Sequence, residues 1–371
     1  MSPRGSLPVA LLALSLVLGA CATPPLQPQG VGDTAAHHYT LGVKLLETGD
    51  LAQAQQEFER ARGLSPDYAP AWEGLGLVAL ARKDVATAES SFKTSKSKDR
   101  KYVPAYLGLA RTYSAKGDHD AARSEAAAAI ELEPNNAQAY LVLGQVRLAA
   151  FDFPAAETSF KRALDLAPTL AEARREWDRS VRIRQAAPGT MVGKRIALAE
   201  PITRGDLATL LASEFGIEAN LRRKRPEIFD ASFRPPTAAN APPAAAATGP
   251  TDIATHWAKN GIDLVTRVNL MESYPDRTFR PDEPVSRAAL ASVLEQVLVV
   301  ATNDAALKTR YVGQTSPFPD VRGDHFAFNA IMLVTTRGLM EGDRATGAFG
   351  LTRPVSGSEA VLAMRKLAEL F

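Results

Sequence analysis

Between Ala35 and Pro168 apolar residues recur at helical spacing, as in Leu41, Leu45, Ala54, Phe58 and Ala61, and the pattern breaks and restarts on a fixed period. That period is 34 residues and it runs four times. Gly49-Asp50, Lys83-Asp84, Gly117-Asp118 and Phe151-Asp152 fall in register, as do Leu41-Gly42, Leu75-Gly76, Leu109-Ala110 and Leu143-Gly144. Ala54, Ala88, Ala122 and Ala156 form a third column, and Phe58, Phe92, Ala126 and Phe160 a fourth. Pro66, Pro134 and Pro168 close three of the periods. Each period reads as two helices around a tight turn, with the Asp placed to cap the second helix. No single pair can bury its apolar stripe, so the pairs must stack. Residues 169–185, with Trp177 and many charges, read as a helix that covers the last pair.

Small residues, an aromatic and a closing Pro in register every 34 residues resemble the tetratricopeptide repeat family, here as four repeats over residues 35–168. The resemblance implies a superhelical solenoid whose inner groove is lined by Tyr39, Val43, Leu77, Leu107, Arg111, Leu141 and Gln145. This surface is apolar to neutral with one cation. It lacks the Lys and Asn with which relatives clamp acidic C-terminal tails, and it suits a protein partner presenting an apolar face. It also reads as plain packing surface, or as a seat for the chain's own linker.

After the repeats, three short stretches share one pattern: Pro201-Ile-Thr203-Arg204-Gly-Asp206, Pro284-Val-Ser286-Arg287-Ala-Ala289 and Pro354-Val-Ser356-Gly357-Ser-Glu359. Thr203, Ser286 and Ser356 stand where an N-cap belongs, and Asp206 and Glu359 complete capping boxes. Ahead of the last two lie His256-Trp257-Ala258 and His325-Phe326-Ala327, and Tyr274 to Phe279 forms a turn. These residues resemble the S-layer homology family over 251–371, with a partial copy near 196–218. That family sets three copies around a pseudo-threefold axis and holds cell-wall glycan between them. Carried over by position, Arg204 and Arg287 match the cation that meets the ligand's carboxylate, Trp257 the aromatic near the start of a copy, and Asp276 a residue of its turn. An Arg fork at a helix N-terminus suits an anion. Both arginines equally suit pairing with a nearby carboxylate, and plain core packing is the commoner role for a ring such as that of Trp257. Gly357 departs from the pattern where the third Arg belongs.

At the N-terminus, Arg4, the apolar run Leu7 to Leu18 and Leu18-Gly19-Ala20 form a leader over 1–20. Leu-Gly-Ala-Cys resembles the lipobox of bacterial lipoproteins, which implies lipid attachment at Cys21 and a membrane anchor. Ala22 stands where an Asp favours inner-membrane retention, so in a host with two membranes the address implied is the outer membrane, facing the periplasm. Residues 21–34 read as an extended tether and 233–250 as a Pro/Ala-rich linker. The linker separates a partial copy at 186–232 from a full copy at 251–300, and 301–316 connects this to a degenerate copy at 317–371.

Composition adds exclusions. With 46% hydrophobic and 23% charged residues and a net charge of +2, nothing points to nucleic acid. One cysteine allows no internal disulfide. The five His show no metal-ligand spacing, and no nucleophile–base set or carboxylate pair converges. The expectation is an all-α chain, a tetratricopeptide solenoid followed by S-layer-type helical copies, with no cofactor and no catalysis. Its function would be that of a lipid-anchored envelope adaptor, the repeats holding a protein and the C-terminal copies peptidoglycan or cell-wall polysaccharide. The alternative is a pilotin-like assembly factor for a secretion, pilus or polysaccharide-export machine.

Overall fold

A computed structural model describes residues 26–30, 32–229 and 249–371. The leader, Cys21 and most of the expected linker lie outside the described residues. Among those described, every regular element is helical, and consecutive helix pairs pack as a repeat solenoid followed by further helices. The chain divides into two compact units, 1–116 and 117–371.

The N-terminal unit holds α1 (Ala35–Glu47), α2 (Leu51–Leu64), α3 (Ala69–Ala81), α4 (Val85–Lys98) and α5 (Val103–Ala115). Asp50 and Asp84 cap α2 and α4 by accepting the Gln53 and Thr87 backbone N–H groups. Gly49 and Lys83, just before them, take left-handed φ of 83° and 63°, the reversal each turn requires. Phe58 and Phe92 are fully buried. The Phe58 ring lies against Gly42 and Gly74, and that of Phe92 against Gly76 and Gly108, where any Cβ would overlap the ring. One ring therefore fastens two successive first helices, and deleting such a side chain costs about 3–5 kcal/mol. In the third repeat Ala126 replaces the ring, and the corresponding slots carry Ala110 and Val142 in place of glycine.

The described part of the expected tether is not free. Leu26 N–H donates to the Gly63 carbonyl at 2.6 Å. Asp33 accepts from the Arg60 guanidinium and faces His38 Nε2 at 2.6 Å, while His38 Nδ1 faces Glu57 at 2.5 Å. The residues just ahead of α1 are thereby fastened to the first hairpin.

The C-terminal unit holds α6 (His119–Leu132), α7 (Ala137–Ala149), α8 (Phe153–Leu166), α9 (Ala171–Ala186), α10 (Met191–Ala197), α11 (Arg204–Thr209), a π-helical turn at Leu210–Glu214, α12 (Ile217–Lys224), α13 (Lys259–Arg267), α14 (Arg287–Thr302), α15 (Phe328–Thr336) and α16 (Gly357–Ala368). Phe160 repeats the ring-in-slot packing against Gly144. The expected covering helix, α9, packs on α8 with one side and on α16 with another. It is itself covered, and one buried core runs from Leu141 to Leu367.

Three helix pairs then close into a ring: α11 packs on α13, α14 on α15, and α16 on α10. At the centre Ile202 N–H donates to Val355 O at 2.9 Å, Val355 N–H to Val285 O at 2.9 Å, and Val285 N–H to Ile202 O at 3.0 Å. Thr203, Ser286 and Ser356 cap the helices that leave this centre. Thr203 and Asp206 form the expected capping box. Glu359 does not turn back to its cap residue; its carboxylate is drawn to arginines instead.

Both ring nitrogens of His38 face carboxylates, which accept but cannot donate, so the imidazolium is the form that fits. Burial opposes the charge, but the bonds to Glu57 and Asp33 outweigh it and raise the His38 pKa. The Arg60 guanidinium holds Asp33 well below the usual carboxylate range, so Asp33 stays ionised. A raised folded-state pKa gives stability that is complete below the ordinary value of 6.5 and is lost as pH climbs through the raised one. Urea titrations from about pH 6 to about pH 9 should show the wild type losing stability relative to His38→Gln.

Candidate ligand-binding grooves

The ring repeats one construction with three outcomes. At the start of α11, Arg204 and Gly205 donate their N–H groups to Glu283 O and Pro281 O, at 2.9 and 2.8 Å. At the start of α14, Arg287 and Ala288 donate to Arg353 O and Leu351 O, at 3.0 and 3.1 Å. Gly357, opening α16, donates to Ala199 O at 2.8 Å. Helix N-termini leave such donors unpaired, and here the neighbouring copy supplies the acceptors.

The side chains then diverge. Arg287 is 3% exposed. Its Nε donates to Phe349 O at 2.7 Å and its Nη2 to Glu341 O at 2.5 Å, its plane lies over the Phe349 ring, and its Nη1 is ion-paired with Glu359. Burial pulls the guanidinium down to about 10. Arg287 is thus a satisfied structural group, which corrects its expected place as a ligand contact. Arg204 keeps the same first contacts, Nε to Phe279 O and Nη2 to Glu272 O, both 2.9 Å, with its plane over Phe279 and Tyr274. Ala289 occupies the position that Glu359 holds in the next copy. Among the described residues no carboxylate side chain pairs with Arg204. It lines an open cleft of about 550 Å³ with Glu272, Tyr274, Ser292, Gln296 and Lys308. At the third position a Cβ on Gly357 would overlap the Ile196 carbonyl of α10, so the expected missing Arg is excluded sterically.

Two other expected contacts change role. Asp276 accepts from Thr278 N–H at 2.9 Å, Thr278 Oγ1 at 2.6 Å and Arg280 Nη2 at 3.0 Å. The Thr278 hydroxyl and these partners hold its carboxyl down to about 2, and it serves its own turn. Trp257 is 53% exposed, so the core reading fails. Its ring lies 5.6 Å from the Arg195 guanidinium and lines a different depression from Arg204, beside His256 and Asp282. The structure does not bring Trp257 and Arg204 together.

Sequence reasoning passed over Asp252 and Asp320. Asp252 accepts the Phe279 and Arg280 N–H groups at 2.8 and 2.7 Å, and Asp320 those of Phe349 and Gly350 at 2.7 and 2.6 Å. They fix the strips of backbone whose carbonyls receive the two arginines. The recurring pairs Asp252-Ile253 and Asp320-Val321, shortly ahead of His256 and His325, carried the signal.

On the inner face of the N-terminal unit, Tyr39, Val43, Leu77 and Arg111 are half-buried, whereas Leu107 is 6% exposed and belongs to the packing. In the C-terminal unit Leu141 is fully buried and Gln145 Nε2 donates to Glu172 at 2.9 Å. Leu107 and Leu141 therefore offer a guest no surface, which corrects both expectations. Glu73, in the same column as Tyr39 and Leu107, was passed over although the 34-residue period points to it.

These features define the class: a helical-repeat protein joined to a three-copy helical ring. The tetratricopeptide repeat family matches residues 39–100 and 107–171, and the S-layer homology domain matches 251–291 and 317–346. The chain therefore carries tetratricopeptide repeats followed by S-layer homology copies, modules of protein interaction and of cell-wall association. It is similar to Cell surface glycoprotein 1 of Acetivibrio thermocellus, with 32% identity over 117 residues, 31% of this chain. The matched stretch spans 5% of that protein's length. Among solved structures, a thermophilic repeat protein of Thermus thermophilus is 19% identical, over 40% of this chain and 81% of its own, with a TM-score of 0.38. Pseudomonas aeruginosa pilF is 18% identical, over 52% of this chain and 92% of its own, with a TM-score of 0.37.

Arg287→Ala should cost about 1–3 kcal/mol in urea unfolding for each of the two carbonyls, Phe349 and Glu341, that lose their donor, while Glu359 keeps Arg353. Arg204→Ala should cost clearly less. Gly357→Ala should cost at least about 1–3 kcal/mol, since its Cβ meets backbone that cannot turn aside.

Proposed function

We propose that this protein is a lipid-anchored, non-catalytic adaptor of the cell envelope, held to the outer membrane through Cys21 and facing the periplasm. The repeats receive a protein partner on their inner face. The ring holds an acidic cell-wall glycan, and it does so in one groove, at Arg204. Two modest attachments keep such a molecule at the envelope more firmly than either alone.

The observation that carries the reading is the contrast between two equivalent arginines. Arg287 has Glu359 on its outer nitrogen; Arg204 has Ala289 in that place and an open cleft before it. A ligand carboxylate entering the cleft would take the role that Glu359 plays one copy further on. A charge-assisted bond of this kind contributes about 1.5–3 kcal/mol, roughly a tenfold to hundredfold change in affinity.

The test is sedimentation of the purified full-length protein with isolated cell-wall polysaccharide and with peptidoglycan sacculi. Wild type should pellet, and Arg204→Ala should bind at least tenfold more weakly. Ala289→Glu should do the same, by supplying Arg204 with an internal carboxylate. If both variants pellet like wild type, the Arg204 groove is not the binding site.

A further inference from the structure

The two ends of the N-terminal unit differ in charge. At one end stand the last turns of α2 and α4 with the loops that follow; at the other stand the turns that join α1 to α2 and α3 to α4. Residues 44–51 and 78–85, at the turn end, hold the cations Lys44, Arg82 and Lys83 against the carboxylates Glu47, Asp50 and Asp84. Residues 61–68 and 95–102, at the other end, hold five cations, Arg62, Lys96, Lys98, Arg100 and Lys101, against Asp67 and Asp99. A cation in the last turn of a helix complements its dipole, which accounts for Arg62, Lys96 and Lys98. It does not account for Arg100 and Lys101, which lie beyond α4. Arg100 stands where Pro66, Pro134 and Pro168 close the other repeats.

The basic end is one continuous surface. The Ser95 hydroxyl donates to the Ala69 carbonyl at 2.8 Å and Lys98 pairs with Asp67 at 2.7 Å, so the end of α4 lies beside the loop that leaves α2. The Arg62 guanidinium lies 5.3 Å from the centre of the Trp72 ring, whose Nε1 donates to the Pro66 carbonyl at 2.8 Å. Ser97, Arg100 and Lys101 are exposed. An amphipathic ring beside long cationic side chains suits a layer of lipid headgroups.

The same end receives the chain from Cys21. The Leu26 N–H donates to the Gly63 carbonyl at 2.6 Å, and a Cβ on Gly63 would overlap the Leu26 side chain. Asp33, paired with Arg60, fastens the following residues to the same hairpin. Cys21 precedes Leu26 by five residues, which span at most about 18 Å when extended. The far end of α2, a helix of 14 residues, lies about 21 Å further off.

We propose that this basic end of the N-terminal unit rests on the membrane that holds Cys21, with Arg100, Lys101 and Arg62 meeting the phosphates of anionic phospholipids. Two independent observations select that occupant: the excess of positive charge at one end, and the short chain that brings the same end to the anchor. An anionic bilayer attracts each Lys or Arg that lies within a Debye length of its surface. This orientation rests on the reading that Cys21 carries lipid, and it adds which end faces the bilayer and by what chemistry.

The test uses the purified, lipidated full-length protein in vesicles of phosphatidylethanolamine and phosphatidylglycerol that contain a headgroup-nitroxide lipid. Cys21 is the only cysteine and its sulfur is taken by the lipid, so Ser97→Cys and Thr48→Cys each supply one free thiol for a fluorophore, at the basic end and at the turn end. The label at position 97 should be quenched about twofold or more beyond the label at position 48, because only the basic end reaches the headgroups. Adding Arg100→Glu and Lys101→Glu, both at exposed loop positions, should remove at least about half of that difference, as should replacing both lipids by phosphatidylcholine. Equal quenching at the two positions, or stronger quenching at position 48, overturns the orientation and leaves the anchor intact. A difference unchanged by the two charge reversals also overturns it, since the tether alone would then set the pose. Failure of the protein to float with either kind of vesicle overturns the anchor and the orientation together.

Discussion

Three backbone hydrogen bonds, from Ile202 to Val355, Val355 to Val285 and Val285 to Ile202, close on themselves at the centre of the ring. Each residue gives its N–H to one neighbour and its carbonyl to the other, and all three side chains are buried. A closed cycle leaves no unpaired backbone group in a place where water cannot reach, so it escapes the penalty of an open edge. It also sets the three capped helices at equivalent stations around one centre. From each station the first helical residue looks into the next copy.

Three stations carry three solutions. Where Arg287 meets Glu359, the charge is neutralised inside the protein, and Glu359 is shared between Arg287 and the more exposed Arg353. Where Gly357 meets the Ile196 carbonyl, backbone approaches so closely that no side chain fits. Only the Arg204 station combines a fixed guanidinium with an open cleft. A difference of one side chain, alanine against glutamate at positions 289 and 359, separates a satisfied structural cation from one with bonding capacity to spare. Symmetry of the backbone therefore does not extend to chemistry.

The repeats were legible in sequence because a solenoid is nearly one-dimensional. Each helix pair touches its neighbours, so capping Asp, turn residue and Phe recur at fixed offsets, and a period is enough to place them. Exposure was not legible in the same way. Tyr39, Glu73, Leu107 and Leu141 share one column, yet the first is half-buried and the last fully buried, since exposure depends on the size of neighbours rather than on register. In the ring the motif residues were found, but their roles were not. Whether Arg287 is ligand contact or internal partner is decided by Glu359, 72 residues further along, and by burial that only packing creates. Trp257 erred the other way: aromatic rings usually pack, but this one is about half exposed, with the Arg195 guanidinium over its ring.

The division of labour between repeats and ring is less clean than their sequence patterns imply. Helix α9 packs on the fourth repeat and on α16, and Arg182 on α9 reaches the Ser358 hydroxyl at 3.3 Å. Arg179 on the same helix donates to the Leu198 carbonyl and pairs with Glu200 at 3.4 Å, beside the segment that leads to Ile202. The fourth repeat thus contributes to one continuous core with the ring, and α9, which covers it, contacts Leu198 and Glu200 shortly before Ile202. In a terminal repeat a polar outer face would serve solubility; here that face is spent on the next module. Because packed interiors transmit strain, a shift of α9 would be felt in both α8 and α16. The ring is completed against the covering helix: α10 packs on α16, and α16 packs on α9. Helix α9 is therefore a shared wall, with α8 on one side of it and α16 on the other.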